Sequence, residues 1–407
     1  MPTKTFSRVL VALTTLLASC SSRPAQVDAP ASADPSPAED APPAEAEPVE
    51  PGAPAPMGDP LPPTAPGEWT WFGAEEFGDV PRCMDGSKTG LGLNRAPGGA
   101  KKVVVFMQGG GACFDGQTCA LADLALSTDH HDAKDFAAWA KKEGVRNVMN
   151  RERAENPFRD WDLVMIPYCS GDVFAGDNPS GFKGRPQLGY RNVASYLPRL
   201  ASTFRDADQL VLTGMSAGGY GAAYNFVQFQ RTFAWLDVTM IDDSGPNLAT
   251  RYTPSCLQQK WKQTWSMDKT SPVEGPFPLG YDAQSGVAGA GLWGLFQSIL
   301  ERYPKNKFAF ISHERDMVMR YFHGIGHSTS CAGPFLLSAK FFEEGLRDIR
   351  GMKGDNFSTF YGPGTGHPYF YDDAEMYDVT VDGITLASWL TKVVTTRDEP
   401  RRVPAQF

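Results

Sequence analysis

Gly214-Met215-Ser216-Ala217-Gly218 sets a serine between two glycines where the residue pattern changes period. Before it, Gln209-Leu210-Val211-Leu212-Thr213 is short, apolar and β-favouring; after it, the run from Gly219 to Val227 reads as a helix. A Gly-x-Ser-x-Gly at a strand-to-helix turn is the pattern of a nucleophile elbow. A sharp turn crowds the backbone around its central residue, and small neighbours relieve the clash. The Ser216 hydroxyl then lies at a helix N-terminus, where partial positive charge favours a developing anion.

A second glycine cluster supports acyl transfer. Gln108-Gly109-Gly110-Gly111-Ala112-Cys113 follows the apolar run 103–107. Consecutive glycines let backbone N–H groups approach a substrate closely. Each such donor to a tetrahedral oxyanion stabilises it by roughly 3 kcal/mol. The expected donors are Gly110, Gly111 and Ala217, the residue after the serine. A phosphate-binding loop would need Gly-x-x-x-x-Gly-Lys-Ser/Thr, which is absent.

A serine nucleophile needs a base, and histidine suits neutral pH. Of six histidines, His367 in Gly364-Thr365-Gly366-His367-Pro368 fits best: it is late in the chain, in a loop ahead of a helical C-terminal run. His130 and His131 precede the serine in a polar Asp129-His130-His131-Asp132 cluster that reads as a solvated loop. His313 precedes the best acid, and His323 and His327 follow it too closely to fold back. That acid is Asp316, just past the run 307–311. Asp243 is the rival, and Glu314 a weaker one.

The elements that must position these groups alternate in type. Strand-like runs at 103–107, 161–166, 209–213, 236–241 and 307–311 are separated by helical stretches near 133–143, 193–204, 217–233 and 290–303, and 384–396 closes as a helix. This predicts an α/β fold with a mostly parallel sheet flanked by helices. The candidate chemistry falls after the strand ends, where such sheets place their sites.

The ends of the chain differ from its body. Lys4 and Arg8 precede an apolar stretch, Val9 to Leu17, which has the form of a secretory leader and is too short to span a bilayer. Leu17-Ala18-Ser19-Cys20 resembles a bacterial lipobox. That resemblance implies cleavage before Cys20 and a lipid anchor on its sulfur, and Ser21 implies the outer membrane of the cell envelope. Residues 21–66 hold 14 of the 33 prolines and read as a disordered Pro/Ala/Glu-rich tether. The leader contributes +2 and the tether −7 to a net charge of −9, leaving −4 on residues 67–407, the expected catalytic domain. Nothing there offers the clustered cations of a nucleic-acid surface. With Cys20 lipidated, six cysteines remain: Cys83, Cys113, Cys119, Cys169, Cys256 and Cys331. An even count in an exported chain reads as disulfides. Cys113 and Cys119 could close a small loop, and the other pairings stay open. No Cys-x-x-Cys supports zinc, so no metal is expected.

These segments together resemble the pectin acetylesterase and Notum family of serine carboxylesterases. The likeness rests on Gln108 to Cys113, Glu155-Asn156-Pro157-Phe158, Ile166-Pro167-Tyr168-Cys169-Ser170-Gly171-Asp172-Val173-Phe174-Ala175-Gly176, Gly214 to Gly219 and Asp243-Ser244-Gly245. It extends more weakly to Asp316 and His367. It implies an α/β-hydrolase fold, no cofactor, a nucleophile at Ser216, an acid at Asp316 and a base at His367. Plant-like members remove acetyl groups from pectin, and Notum-like members remove a long acyl chain from a signalling protein. Members usually carry Glu where Gln108 stands and Trp just after the oxyanion glycines, where Gly111 and Ala112 stand here. The expected substrate is an O-acetyl ester on a polysaccharide. A lipase or deacylase on the same residues is the alternative, with 286–300 as a candidate lid. A third possibility is a non-catalytic carbohydrate binder stacking sugars on Trp261 and Trp265.

Overall fold

The computed structural model describes residues 57–120, 128–270, 291–331, 333, 335–396 and 401–407. The leader, Cys20 and the tether up to residue 56 lie outside the described residues. The chain begins with β1 (Trp69–Phe72), β2 (Leu91–Asn94), β3 (Lys102–Met107), α1 (Gly116–Ala120), α2 (Ala133–Lys142) and β4 (Asp162–Ile166). Next come α3 (Gly189–Thr203), β5 (Gln209–Met215), α4 (Ala217–Thr232), β6 (Thr239–Asp243), α5 (Ser255–Trp265) and α6 (Leu292–Arg302). Then follow β7 (Phe308–His313), α7 (Met317–Gly324), α8 (Ala339–Arg350), β8 (Phe357–Gly362) and α9 (Asp373–Tyr377). A small hairpin of β9 (Thr380–Val381) and β10 (Ile384–Thr385) precedes α10 (Leu386–Thr395) and β11 (Arg402–Val403).

The main sheet has nine strands in the order β1-β2-β4-β3-β5-β6-β7-β8-β11. Among the described residues of this sheet, only β1 against β2 and β2 against β4 run antiparallel, and every other pairing is parallel. The expected α/β class, a mostly parallel sheet flanked by helices, is therefore the observed one. The central strands β4, β6, β7 and β8 are buried at every residue, without alternation. Continuous burial of this kind means that both faces are covered. On one face Val104, Phe106, Ile241, Ile311 and Phe360 pack with Trp389 and Leu390 of α10. On the other, α4 lies against the sheet, with Gly221 close to the Met107 side chain.

Local chemistry sets several helix starts. Asp132 and Asp135 form a reciprocal capping box on α2. Ser338 caps α8 by accepting the Phe341 N–H, and that helix buries Phe342, Gly345, Leu346 and Ile349, spaced as one helical face.

Residues 58–61, which the sequence reading assigns to the tether, are bonded to α3. The Gly58 N–H donates to the Pro198 carbonyl at 3.1 Å, and Arg199 Nε donates to the Asp59 carbonyl at 3.0 Å. Leu61 is buried, and its N–H donates to Thr203 Oγ1 at 2.8 Å. Residues 58–61 thus dock on α3. Three disulfides close: Cys113–Cys119, as the spacing allowed, and Cys83–Cys169 and Cys256–Cys331.

Trp389 is fully buried, packs on Phe360 and donates its indole N–H to the Arg401 carbonyl at 3.2 Å. Trp389→Ala is expected to cost about 3–5 kcal/mol of stability, read as a lowered urea midpoint.

Candidate active site

Parallel register brings five strand ends level. Met107 pairs with Gly214, Met215 with Asp243, Asp243 with Ile311, and His313 with Gly362. Asp243 closes β6, and the loops leaving the other ends hold the glycine cluster, Ser216, Asp316 and His367.

Ser216 follows β5 directly, with φ 56° and ψ −118°, and caps α4. Such a conformation is sterically costly for a residue with a Cβ. Close packing enforces it: a Cβ on Gly218 would collide with the Met107 carbonyl, and one on Gly109 would come 2.7 Å from the Met215 carbonyl. The Ser216 N–H donates to the Asp243 carbonyl at 2.7 Å.

His367 Nε2 lies 2.8 Å from Ser216 Oγ, and His367 Nδ1 lies 2.7 Å from Asp316 Oδ2. Nδ1 faces a carboxylate, so the proton belongs there and Nε2 presents its lone pair to the hydroxyl. Asp316 is fully buried and its other oxygen accepts the Met319 N–H at 2.9 Å, capping α7. Both carboxylate oxygens are thereby oriented. Asp243, the rival acid, does not meet the imidazole. Its carboxylate accepts the Tyr369 and Phe370 N–H groups at 3.2 and 2.7 Å and the Ser244 hydroxyl at 2.9 Å. Burial pushes its carboxyl up to about 7 against those donors. Glu314 spends its own N–H on the Gly362 carbonyl, and burial raises its carboxyl.

Among the described residues no acceptor takes the N–H of Gly110, Gly111 or Ala217. The glycine loop is held from below. Tyr168 Oη donates to the Gly111 carbonyl at 3.0 Å and accepts the Val173 N–H at 2.8 Å, while Gln108 Oε1 accepts the Tyr168 N–H at 3.2 Å. The segment around Tyr168-Cys169-Ser170 is therefore the support of the loop, stapled by Cys83–Cys169.

Beside Ser216 opens an apolar pocket. Gly111, Ala112, Ser216 and Ala217 line it together with Phe114, Trp261 and Trp265 and with Leu292, Leu295 and Ile299 of α6. Its aromatic lining comes from Phe114, from Tyr220 and Tyr224 of α4, from Trp261 and Trp265 of α5, and from Phe296 and Phe322, while Gly111 and Ala112 contribute no ring. Trp261 and Trp265 are buried and stack on each other at 6.1 Å, so neither offers an exposed platform for a sugar. Of the candidate lid 286–300, residues 291–300 begin or form α6 and the remainder lies outside the described residues.

One buried network has no local signature in the residue pattern. Tyr220 Oη lies 2.7 Å from His323 Nε2, and Thr253 Oγ1 lies 2.7 Å from His323 Nδ1. Tyr220 stands one helical turn after Ser216, and both Tyr220 and His323 line the pocket. The remaining histidines stay apart from Ser216. His313 stacks on Tyr369 at 4.0 Å, His327 Nε2 lies 3.1 Å from the Tyr252 carbonyl, and His131 lies beside Trp71.

The chain is similar to known proteins in sequence and in fold. The Pectinacetylesterase family model matches residues 76–273. Palmitoleoyl-protein carboxylesterase notum1 of Xenopus laevis is 32% identical over 146 residues, covering 35% of this chain and 29% of that protein. Pectin acetylesterase 5 of Arabidopsis thaliana is 31% identical over 144 residues, covering 34% of this chain and 32% of that protein. The alignments span about a third of the length of these relatives. The solved structure of the Wnt deacylase Notum from Drosophila superimposes with a TM-score of 0.55 at 18% identity, over 79% of this chain and 93% of that one. The fold is thus a Notum-like α/β-hydrolase fold, and the chain is similar to esterases and deacylases of acyl groups.

Burial drives the His323 imidazole from its ordinary 6.5 down to about 3. Between those values the unfolded chain binds a proton that the folded chain refuses. Stability present above pH 6.5 is therefore lost as pH falls toward 3. From pH 7 to pH 5 this amounts to roughly 2 kcal/mol. His323→Gln is expected to escape that loss, so its urea midpoint should fall less than the wild type's over the same interval.

Proposed function

We propose that this chain is a serine carboxylesterase of the pectin acetylesterase and Notum family, exported and anchored through a lipid on Cys20 at a bacterial envelope. The observation behind the mechanism is the continuous bond chain Asp316–His367–Ser216 beside unpaired backbone N–H groups. Ser216 Oγ attacks the ester carbonyl as its proton passes to His367 Nε2. Asp316 holds the imidazole and stabilises its cation. The N–H groups of Gly110, Gly111 and Ala217 receive the oxyanion. Collapse breaks the bond to the alcohol, which leaves with the proton from His367. Water, deprotonated by His367, then attacks the acyl-enzyme, and the carboxylic acid departs as Ser216 is restored.

The pocket supports an apolar acyl group longer than acetyl. Ser216 and Ala223 both line it, seven residues apart along α4. That spacing corresponds to about 10 Å of helix, more than a methyl group needs. An O-acetyl glycan is the competing substrate, and a chain-length profile separates the two.

Ser216→Ala is expected to abolish hydrolysis of nitrophenyl esters and labelling by a fluorophosphonate probe; full activity would sink the mechanism. Asp316→Asn should lower kcat by roughly 10⁴-fold, the scale of a triad with its acid neutralised. The wild-type profile should peak at medium or long acyl chains, and Ala223→Phe should move the peak toward acetate. A wild-type maximum at acetate would assign the glycan ester instead.

A further inference from the structure

Asp243 has a place in the site that the acid–base–nucleophile chain does not use. Its backbone carbonyl accepts the Ser216 N–H at 2.7 Å. Its side chain accepts the N–H groups of Tyr369 and Phe370, two and three residues past His367. One fully buried residue therefore bonds by its main chain to the nucleophile and by its carboxylate to the loop of the base.

The loop has two anchors of different kinds. Its front half is bonded to the segment bearing Asp316: the Arg315 N–H donates to the Gly364 carbonyl at 3.1 Å, and the Met317 N–H donates to the Thr365 carbonyl at 3.3 Å. These bonds flank Asp316 and set the imidazole against its carboxylate. Directly behind His367, the bonds from Tyr369 and Phe370 run to the Asp243 carboxylate. The front anchor fixes His367 relative to its acid. The back anchor fixes it relative to Ser216.

We infer that Asp243 is a positioning residue, holding the His367 loop in register with the nucleophile elbow through its carboxylate. This rests on the esterase reading of Ser216 and His367. Each partner in a proton transfer must lie within a few tenths of an ångström of the productive distance, and a displacement of about 1 Å can cost 10²-fold in rate. Asparagine at position 243 retains the backbone bond to Ser216. It keeps one acceptor oxygen and replaces the other by an amide NH₂ facing an N–H donor, so one of the two bonds of the back anchor is lost and the front anchor stays.

The test compares Asp243→Asn with Asp316→Asn in the full chain, with rates taken per folded molecule. Asp243→Asn should lower kcat by about 10²-fold, leave KM within about twofold, and keep the low-field NMR resonance of the His367 Nδ1 proton. Asp316→Asn should lose that resonance. Wild-type kcat in Asp243→Asn overturns the proposal. So does loss of the resonance in that variant, which would place the effect on the acid–base pair. A second measurement needs no variant: in the wild type, the Tyr369 and Phe370 amides should exchange as slowly as those of β6. Fast exchange at both overturns the anchor, whatever the fate of Asp243→Asn. A wild type that neither hydrolyses esters nor takes up the fluorophosphonate probe would instead defeat the esterase reading, and the exchange result would still report on the anchor.

Discussion

The backbone of Ser216 is the constraint on which the rest of the site depends. A serine at φ 56° and ψ −118° is strained, at a cost of about 1–3 kcal/mol that only a dense surrounding can sustain. The surroundings supply that density by removing side chains. Gly218 lies against the Met107 carbonyl, and Gly214 against the Gly218 carbonyl. The glycine-rich composition around the serine is thus a packing requirement of the β3–β5 contact. The strain lifts the hydroxyl clear of both strand and helix, where an imidazole from a distant loop can meet it.

That meeting is possible because the sheet is parallel where it matters. β3, β5, β6, β7 and β8 are consecutive neighbours, and all end on the same edge. Each strand end or the loop leaving it adds one component: the glycine cluster, Ser216, Asp243, Asp316, His367. Neighbouring strands are about 4.8 Å apart, so loops of a few residues bridge the spacing. The antiparallel β1 and β2 lie on the far side of β4 and contribute none of these groups.

The same division explains what could be read from the sequence. The central strands and α4 are legible because long apolar runs beside a turn of glycines have few alternative states. Ser216, His367 and Asp316 stand in local patterns, and the structure brings the three together. The four-residue strands β1 and β2 have too little length for a period to emerge. Helix α8 has a regular apolar face, yet Glu343, Glu344 and Gly345 dilute it. Thr253 and His323, or Ser216 and Asp243, meet across tens of residues, and nothing local announces such a pairing. The docking of residues 58–61 on α3 is likewise a tertiary event within a proline-rich composition.

Chemistry and selectivity are therefore built from different parts of the chain. Under the proposed esterase reading, Ser216, Asp316 and His367 ride on the sheet edge, whose geometry is fixed by backbone pairing. The pocket is walled by α5, α6 and α7, which lie outside the sheet and are held by side-chain bonds and covalent staples. Cys256–Cys331 ties α5 to the segment after α7, and Cys113–Cys119 closes the strap bearing Phe114. Lys260 of α5 pairs with Asp115 on that strap at 3.0 Å, and Gln117 donates to the Tyr321 hydroxyl of α7 at 3.1 Å. A substitution at Leu295 or Ile299 of α6 alters the space of the pocket without replacing a residue bonded to Ser216, His367 or Asp316. A change at Gly218 or Gly109 acts on the serine first, since a Cβ there meets the Met107 or the Met215 carbonyl. Two proteins with one such sheet edge can thus take acyl groups of very different length.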